Sequence, residues 1–170
     1  MKAIALILNR LERGSGFILL HQYLGKIRCF LPYQKQYDNL CVGSLISCDL
    51  EEKKNYYIFN QVETDFVPLP LENHDIYFIH NFLKLCAEVP FGVRVDDVFT
   101  HVIATYKEMH LFTDQDKNRS LLQLFFFLSI FPESIQLYNM VMNGSISYDE
   151  NTIKTGLDFC WEAYYQQKTV

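Results

Sequence analysis

Glycine and proline are scarce in this 170-residue chain, seven and five in all, and there is a single tryptophan. So few breakers exclude a collagen-like or low-complexity protein. The five cysteines (Cys29, Cys41, Cys48, Cys86 and Cys160) never fall in a Cys-x-x-Cys pair. That removes the zinc knuckle and the thioredoxin-type redox site and leaves free, mostly buried thiols as the expectation. Long apolar runs are missing too: the apolar stretch Ser120–Pro132 is far shorter than the roughly 20 residues of a bilayer span. Met1-Lys2 is followed by only six apolar residues before Asn9-Arg10, too few for a signal peptide. The expectation is a cytoplasmic protein with no membrane partner.

What is present is a core. Hydrophobic residues make up 49% and charged residues 21%, with 14 Phe and 11 Tyr, which excludes a disordered chain. The net charge of −5 is unevenly spread. Residues 1–37 hold six basic residues against one acidic, whereas residues 71–170 hold seven basic against thirteen acidic. Such asymmetry separates a half suited to a polyanion from a half suited to solvent or a protein partner.

The pattern changes near Pro68-Leu69-Pro70. Before it, Lys2–Leu11, Gly16–Gln22, Lys26–Pro32, Gly43–Leu50 and Tyr56–Thr64 read as five short strands bounded by turn residues, with Glu51–Asn55 a charged hairpin tip. Five such strands leave open edges unless they close, and the five-stranded OB-fold is the commonest closure. After the prolines the period becomes helical: a helix from Asn73 to about Cys86, one from Asp96 to about Met109, a buried one from about Asp116 to Phe131 stopped by Pro132, a short one at Ser134–Met142, and a last from about Asp149 to Gln167. The expected class is α+β, with an OB-fold-like β-barrel over residues 1–67 followed by a helical bundle over residues 72–170.

Catalytic constellations are absent. The sequence has no P-loop, GxGxxG, GxSxG or HExxH, and His74 and His80, six apart on one helix, do not stack on one face. Asp96-Asp97 suits a helix start, and Asp114 with Asp116 suits a capped turn, because no EF-hand glycine or twelfth-position Glu follows. No enzyme, metal site or cofactor is expected. A binding surface is easier to argue. Lys26 and Arg28 alternate along one strand and leave on the same face. Tyr23, Phe30, Tyr33 and Tyr37 interleave with Lys26, Arg28 and Lys35, the mixture that tracks phosphates and stacks on bases. Lys26 and Arg28 form the centre of the expected DNA contact, with Arg10, Arg13 and Lys35 flanking it and Tyr33 or Tyr37 stacking.

The layout resembles that of the bacterial recombination mediator RecO family. The likeness rests on Tyr23-Leu24-Gly25-Lys26-Ile27-Arg28, with its glycine–basic–aliphatic–basic step, reached after Gly16-Phe17-Ile18-Leu19-Leu20. The stretches Gly43–Leu50 and Tyr56–Glu63 are similar to the family's last two barrel strands, and Leu121–Glu133 to its central helix and closing loop. The resemblance implies an OB-fold plus helical domain that binds single- and double-stranded DNA, anneals strands, and docks RecR and the tail of single-stranded-DNA-binding protein. For that tail it implies a groove between helices beside a cation, and Tyr106 with Lys107 is the candidate. Where many members insert a four-cysteine zinc element, Ser134–Gly144 has no cysteine, and the segment Leu31–Tyr37 carries one lysine where members are densely basic. With a net charge of −5, weak and salt-sensitive binding to single strands is the expectation. The alternative is a protein-interaction or structural module that keeps the fold and has lost nucleic-acid binding.

Overall fold

Short strands with one face turned to a common core build the first half. In the computed structural model, which describes residues 2–11, 15–32, 40–68, 73–142 and 148–169, five strands are formed: β1 (Ala3–Arg10), β2 (Gly16–His21), β3 (Gly25–Phe30), β4 (Leu45–Glu52) and β5 (Tyr57–Phe66). They close in the order β1-β2-β3-β5-β4, with β3 and β5 parallel and the other neighbours antiparallel. This is an OB-like barrel. Every second residue points inward, so Ala5, Ile7, Phe17, Leu19, Ile27, Cys29, Ile46, Cys48 and Phe59 form one buried core. β1 and β2 are apolar on the other face as well: Leu6, Leu8 and Leu20 are also buried, and the first helix, α1 (Asn73–Cys86), packs against β1. Covering both faces explains why these strands read as nearly continuous apolar runs.

The helices that follow α1 are α2 (Asp96–Glu108), α3 (Asp114–Phe127), α4 (Ile135–Met142) and α5 (Glu150–Lys168), with a 3₁₀ turn at Met109–Leu111. Among the described residues none is long and apolar enough to cross a membrane. The chain divides into two compact units, Met1–Phe99 and Thr100–Val170. Thus α1 and the turn after it group with the barrel, although strand gives way to helix some thirty residues earlier.

Within the second unit, α3 packs on α4 and α5 and buries Leu121, Leu122, Leu124 and Phe125. Thr113 and Asp116 form a capping box at its start, so the Asp114–Asp116 pair is indeed a capped turn. The helix ends at Phe127, four residues before the expected Phe131. Ser129 turns left-handed (φ 57°), Ile130 N–H donates to the Phe125 carbonyl and Ser129 N–H to the Phe126 carbonyl. A Schellman closure therefore stops the helix before Pro132 is reached.

One turn and one strand edge organise the first unit. Between β2 and β3 the buried His21 ring accepts from the Tyr23 and Leu24 N–H groups through Nδ1, both at 3.2 Å. On β3, β5 pairs only with Cys29 and Phe30. The remaining edge is met by the segment after α1: Phe91 makes a single parallel bridge to Lys26, and Gly92 N–H donates to the Lys26 carbonyl at 2.9 Å. Gly25 makes this approach feasible. Its φ is +68°, and a Cβ placed there would lie 1.8 Å from the Val93 carbonyl oxygen.

Two outcomes follow from these features. Gly25→Ala should cost about 3 kcal/mol or more in urea unfolding, combining the left-handed penalty with a backbone collision. Gly92→Ala, at φ +72° with nothing within 4 Å of its would-be Cβ, should cost only about 1–2 kcal/mol. Equal losses would show that the approach of Val93 is not what demands glycine. His21 is a pH-sensitive element of the first unit. Burial lowers its pKa from 6.5 to about 4, so on acidification the unfolded chain takes up the proton first. Stability contributed by neutral His21 is complete above pH 6.5, falls as pH drops from 6.5 towards 4, and is gone below that. The loss is about 3 kcal/mol. His21→Gln should flatten that part of the stability profile measured by denaturant titration.

Candidate nucleic-acid interface

Strand geometry sets the first two cations. In β3, Ile27 and Cys29 are buried while Lys26 is half-buried and Arg28 exposed, so the two basic side chains do leave on one face. Both stand over the same ring: Lys26 Nζ lies 4.6 Å and the Arg28 guanidinium 5.0 Å from the centroid of Phe91. Lys26 Nζ also donates to the Ala87 carbonyl at 2.5 Å, one residue past the end of α1, where a cation complements the helix dipole. Lys26 is therefore a structural tie between barrel and helix as well as a surface charge.

The second pair of cations comes from the hairpin tip. Because β5 lies beside β3, the turn between β4 and β5 is carried to the β3 face. An open groove of about 410 Å³ forms there. Lys26, Arg28, Lys53 and Lys54 supply its positive charge, Glu52 opposes them, and Tyr23, Tyr56, Tyr57 and Phe91 supply its rings. Tyr56 is braced edge-on by Phe30 at 5.2 Å between centroids. The Tyr57 hydroxyl is pushed above its usual pKa by burial and then by the Glu52 charge, so it stays a neutral donor. Lys53 pairs with Glu51, while Lys54 is exposed.

The expected residues are only partly assembled. Lys26 and Arg28 line the groove. Arg10 does not: it sits at the end of β1 with its guanidinium 5.8 Å from the Phe17 ring. Arg13, Tyr33, Lys35 and Tyr37 lie outside the described residues. In the second unit Lys107 is exposed, but Tyr106 is only 1% exposed. The apolar contact expected beside Lys107 is thus part of the core and is not offered to a tail peptide. Among the described residues, no three of His, Cys, Asp or Glu gather as a metal set.

Lys53, Lys54, Tyr56 and Phe91 were not picked out by sequence reasoning. The tip could have been found by combining the charged Glu51–Asn55 turn with the β3–β5 adjacency that any OB-like barrel has. Phe91 gives a fainter signal, an aromatic between Pro90 and Gly92 in a turn. No protein-family model matches this chain, and no curated protein matches it.

The dual engagement of Lys26 has a measurable consequence. Lys26→Met loses a charge-assisted hydrogen bond and a cation–π contact, and should destabilise the protein by about 1–3 kcal/mol. Arg28→Met, losing the ring contact alone, should cost under about 1 kcal/mol. Urea midpoints compare the two; equal values would remove the structural role of Lys26.

Proposed function

We propose that this chain is a non-catalytic, RecO-like mediator of DNA recombination and repair, cytoplasmic, that holds single-stranded DNA on its barrel. The observation that carries the reading is the groove on β3 and the β4–β5 tip, where Lys26, Arg28, Lys53 and Lys54 surround four aromatic rings. Cations along a groove follow a phosphate backbone, rings accept unpaired bases, and the strand 2–3 face with the turn between strands 4 and 5 is where barrels of this kind take oligonucleotides. The family resemblance extends the reading to RecR and the tail of single-stranded-DNA-binding protein as partners. The exposed Lys107 is the remaining candidate contact for that tail.

A second reading has its own support. Lys26 is held by Ala87 and Phe91, which favours a barrel whose basic step serves packing and whose function is protein interaction. Salt dependence separates the two. Each phosphate contact to a single strand contributes about 0.7 to the slope of log K against log salt. A labelled oligothymidylate of about 20 residues should bind weakly and salt-dependently. The triple variant Arg28→Ala, Lys53→Ala, Lys54→Ala should flatten the slope by about 2. Absence of binding by the wild type at low salt leaves the interaction module.

A further inference from the structure

Phe91 stands at a crest. On one side lies the cationic groove just described. On the other a second cleft, of about 340 Å³, is lined by Leu8, Ile18 and Val42 of the barrel and by His80, Leu83 and Lys84 of α1. Lys26 and Phe91 line both clefts, so the two adjoin at these side chains. All of these residues belong to the same compact unit. Phe91 is 48% exposed although two cations lie over it, which leaves much of its surface to solvent. The second cleft is lined mainly by apolar side chains, with Lys26, Lys84, His80 and Asn9 as its polar ones and no acidic side chain among its lining residues.

From this arrangement we infer that the two clefts are one continuous track for single-stranded nucleic acid, with Phe91 as the base-stacking residue at the crest and Lys84 of α1 as a phosphate contact beyond it. The inference rests on the reading of the barrel as a single-strand site. Charge complementarity commits the occupant, since cations outnumber acidic side chains in both linings and stand among apolar or aromatic side chains, as a backbone with splayed bases requires. A duplex does not fit this use of Phe91, because its bases are already stacked on one another. The cations over the ring serve the same strand: a base stacked on the ring surface they leave exposed has a guanidinium and an ammonium near it, and each can meet a flanking phosphate.

Stacking and charge give separable signatures. With a 12-residue oligothymidylate, Phe91→Ala should weaken binding roughly 5- to 100-fold without altering the salt slope. Phe91→Trp should retain affinity and be quenched on binding, with the wild type, whose one tryptophan is Trp161, as the blank. Lys84→Ala should flatten the slope by about 0.7. A matching duplex should bind the wild type and Phe91→Ala alike. If the wild type fails to bind at all, the single-strand reading falls and this inference with it. If the wild type binds with a slope that depends on Arg28, Lys53 and Lys54, but Phe91→Trp is not quenched or Lys84→Ala leaves the slope unchanged, the track is overturned while the barrel site stands. An increase in affinity for Phe91→Ala would also overturn it, since the ring would then be occluding the site.

Discussion

The unpaired edge of β3 is the constraint on which the first unit turns. Closing a five-stranded barrel with one parallel pairing leaves β3 bonded to β5 over only two residues, and an exposed edge of backbone donors and acceptors is a hazard for any sheet. Here the chain covers that edge with its own segment, Phe91–Gly92, delivered by α1. The cover is thin, one bridge and one hydrogen bond, and it works because Gly25 has no side chain to hold Val93 away. Lys26 then secures the end of α1 through the Ala87 carbonyl. Edge protection, helix docking and the position of Phe91 are thus one event.

That event also decides the electrostatics of the groove. Lys26 and Arg28 leave β3 on the same face and would diverge into solvent. The Phe91 ring instead draws both to one place, Lys26 Nζ at 4.6 Å and the Arg28 guanidinium at 5.0 Å from its centroid. A cation–π contact is worth about 0.5–1 kcal/mol at an exposed site, less than a charge-assisted hydrogen bond of about 1.5–3 kcal/mol. Phosphate therefore outcompetes the ring for Arg28, while Lys26, which also holds the Ala87 carbonyl, gives up more to be released. The two basic residues of the Gly25–Arg28 step are alike in sequence and unlike in their freedom to bind.

The fold was largely legible because its signals are local or periodic. Alternation along Lys26, Ile27 and Arg28 placed the two cations on one face, as the burial of β3 has them, and Asn73, Asp96 and Asp149 marked helix starts that the backbone adopts. The end of α3 was misjudged because Pro132 is a strong stop signal, whereas Ser129 in a left-handed conformation leaves none. The site was less legible. Lys26 and Arg28 were visible through strand period alone. Their neighbours Lys53 and Tyr56 come from a hairpin more than twenty residues away, and Phe91 from more than sixty, so only tertiary structure brings them together. Tyr106 fails for the opposite reason: its spacing on α2 suits a core position and a surface contact equally, and burial selects the first.

The net charge of −5 bears on encounter more than on contact. At physiological ionic strength the Debye length is about 8 Å, so charges farther than that from a bound phosphate contribute little to its energy. Around the groove four cations stand against Glu52 and the Glu51 that pairs with Lys53, and the short-range field is positive. The excess of acidic over basic residues in 71–170 acts instead on the approach of a polyanion, slowing association where steering by a basic protein would speed it. On the single-strand reading, a chain built this way has no long-range attraction for duplex in bulk and would rely on an open cationic cleft with rings. Such a cleft favours strands whose bases are free to leave the stack, because the aromatic contribution survives salt that weakens the phosphate contribution. Local charge with aromatic surface, set in an acidic protein, is a physical route to preferring single strands over duplex without reading any base edge.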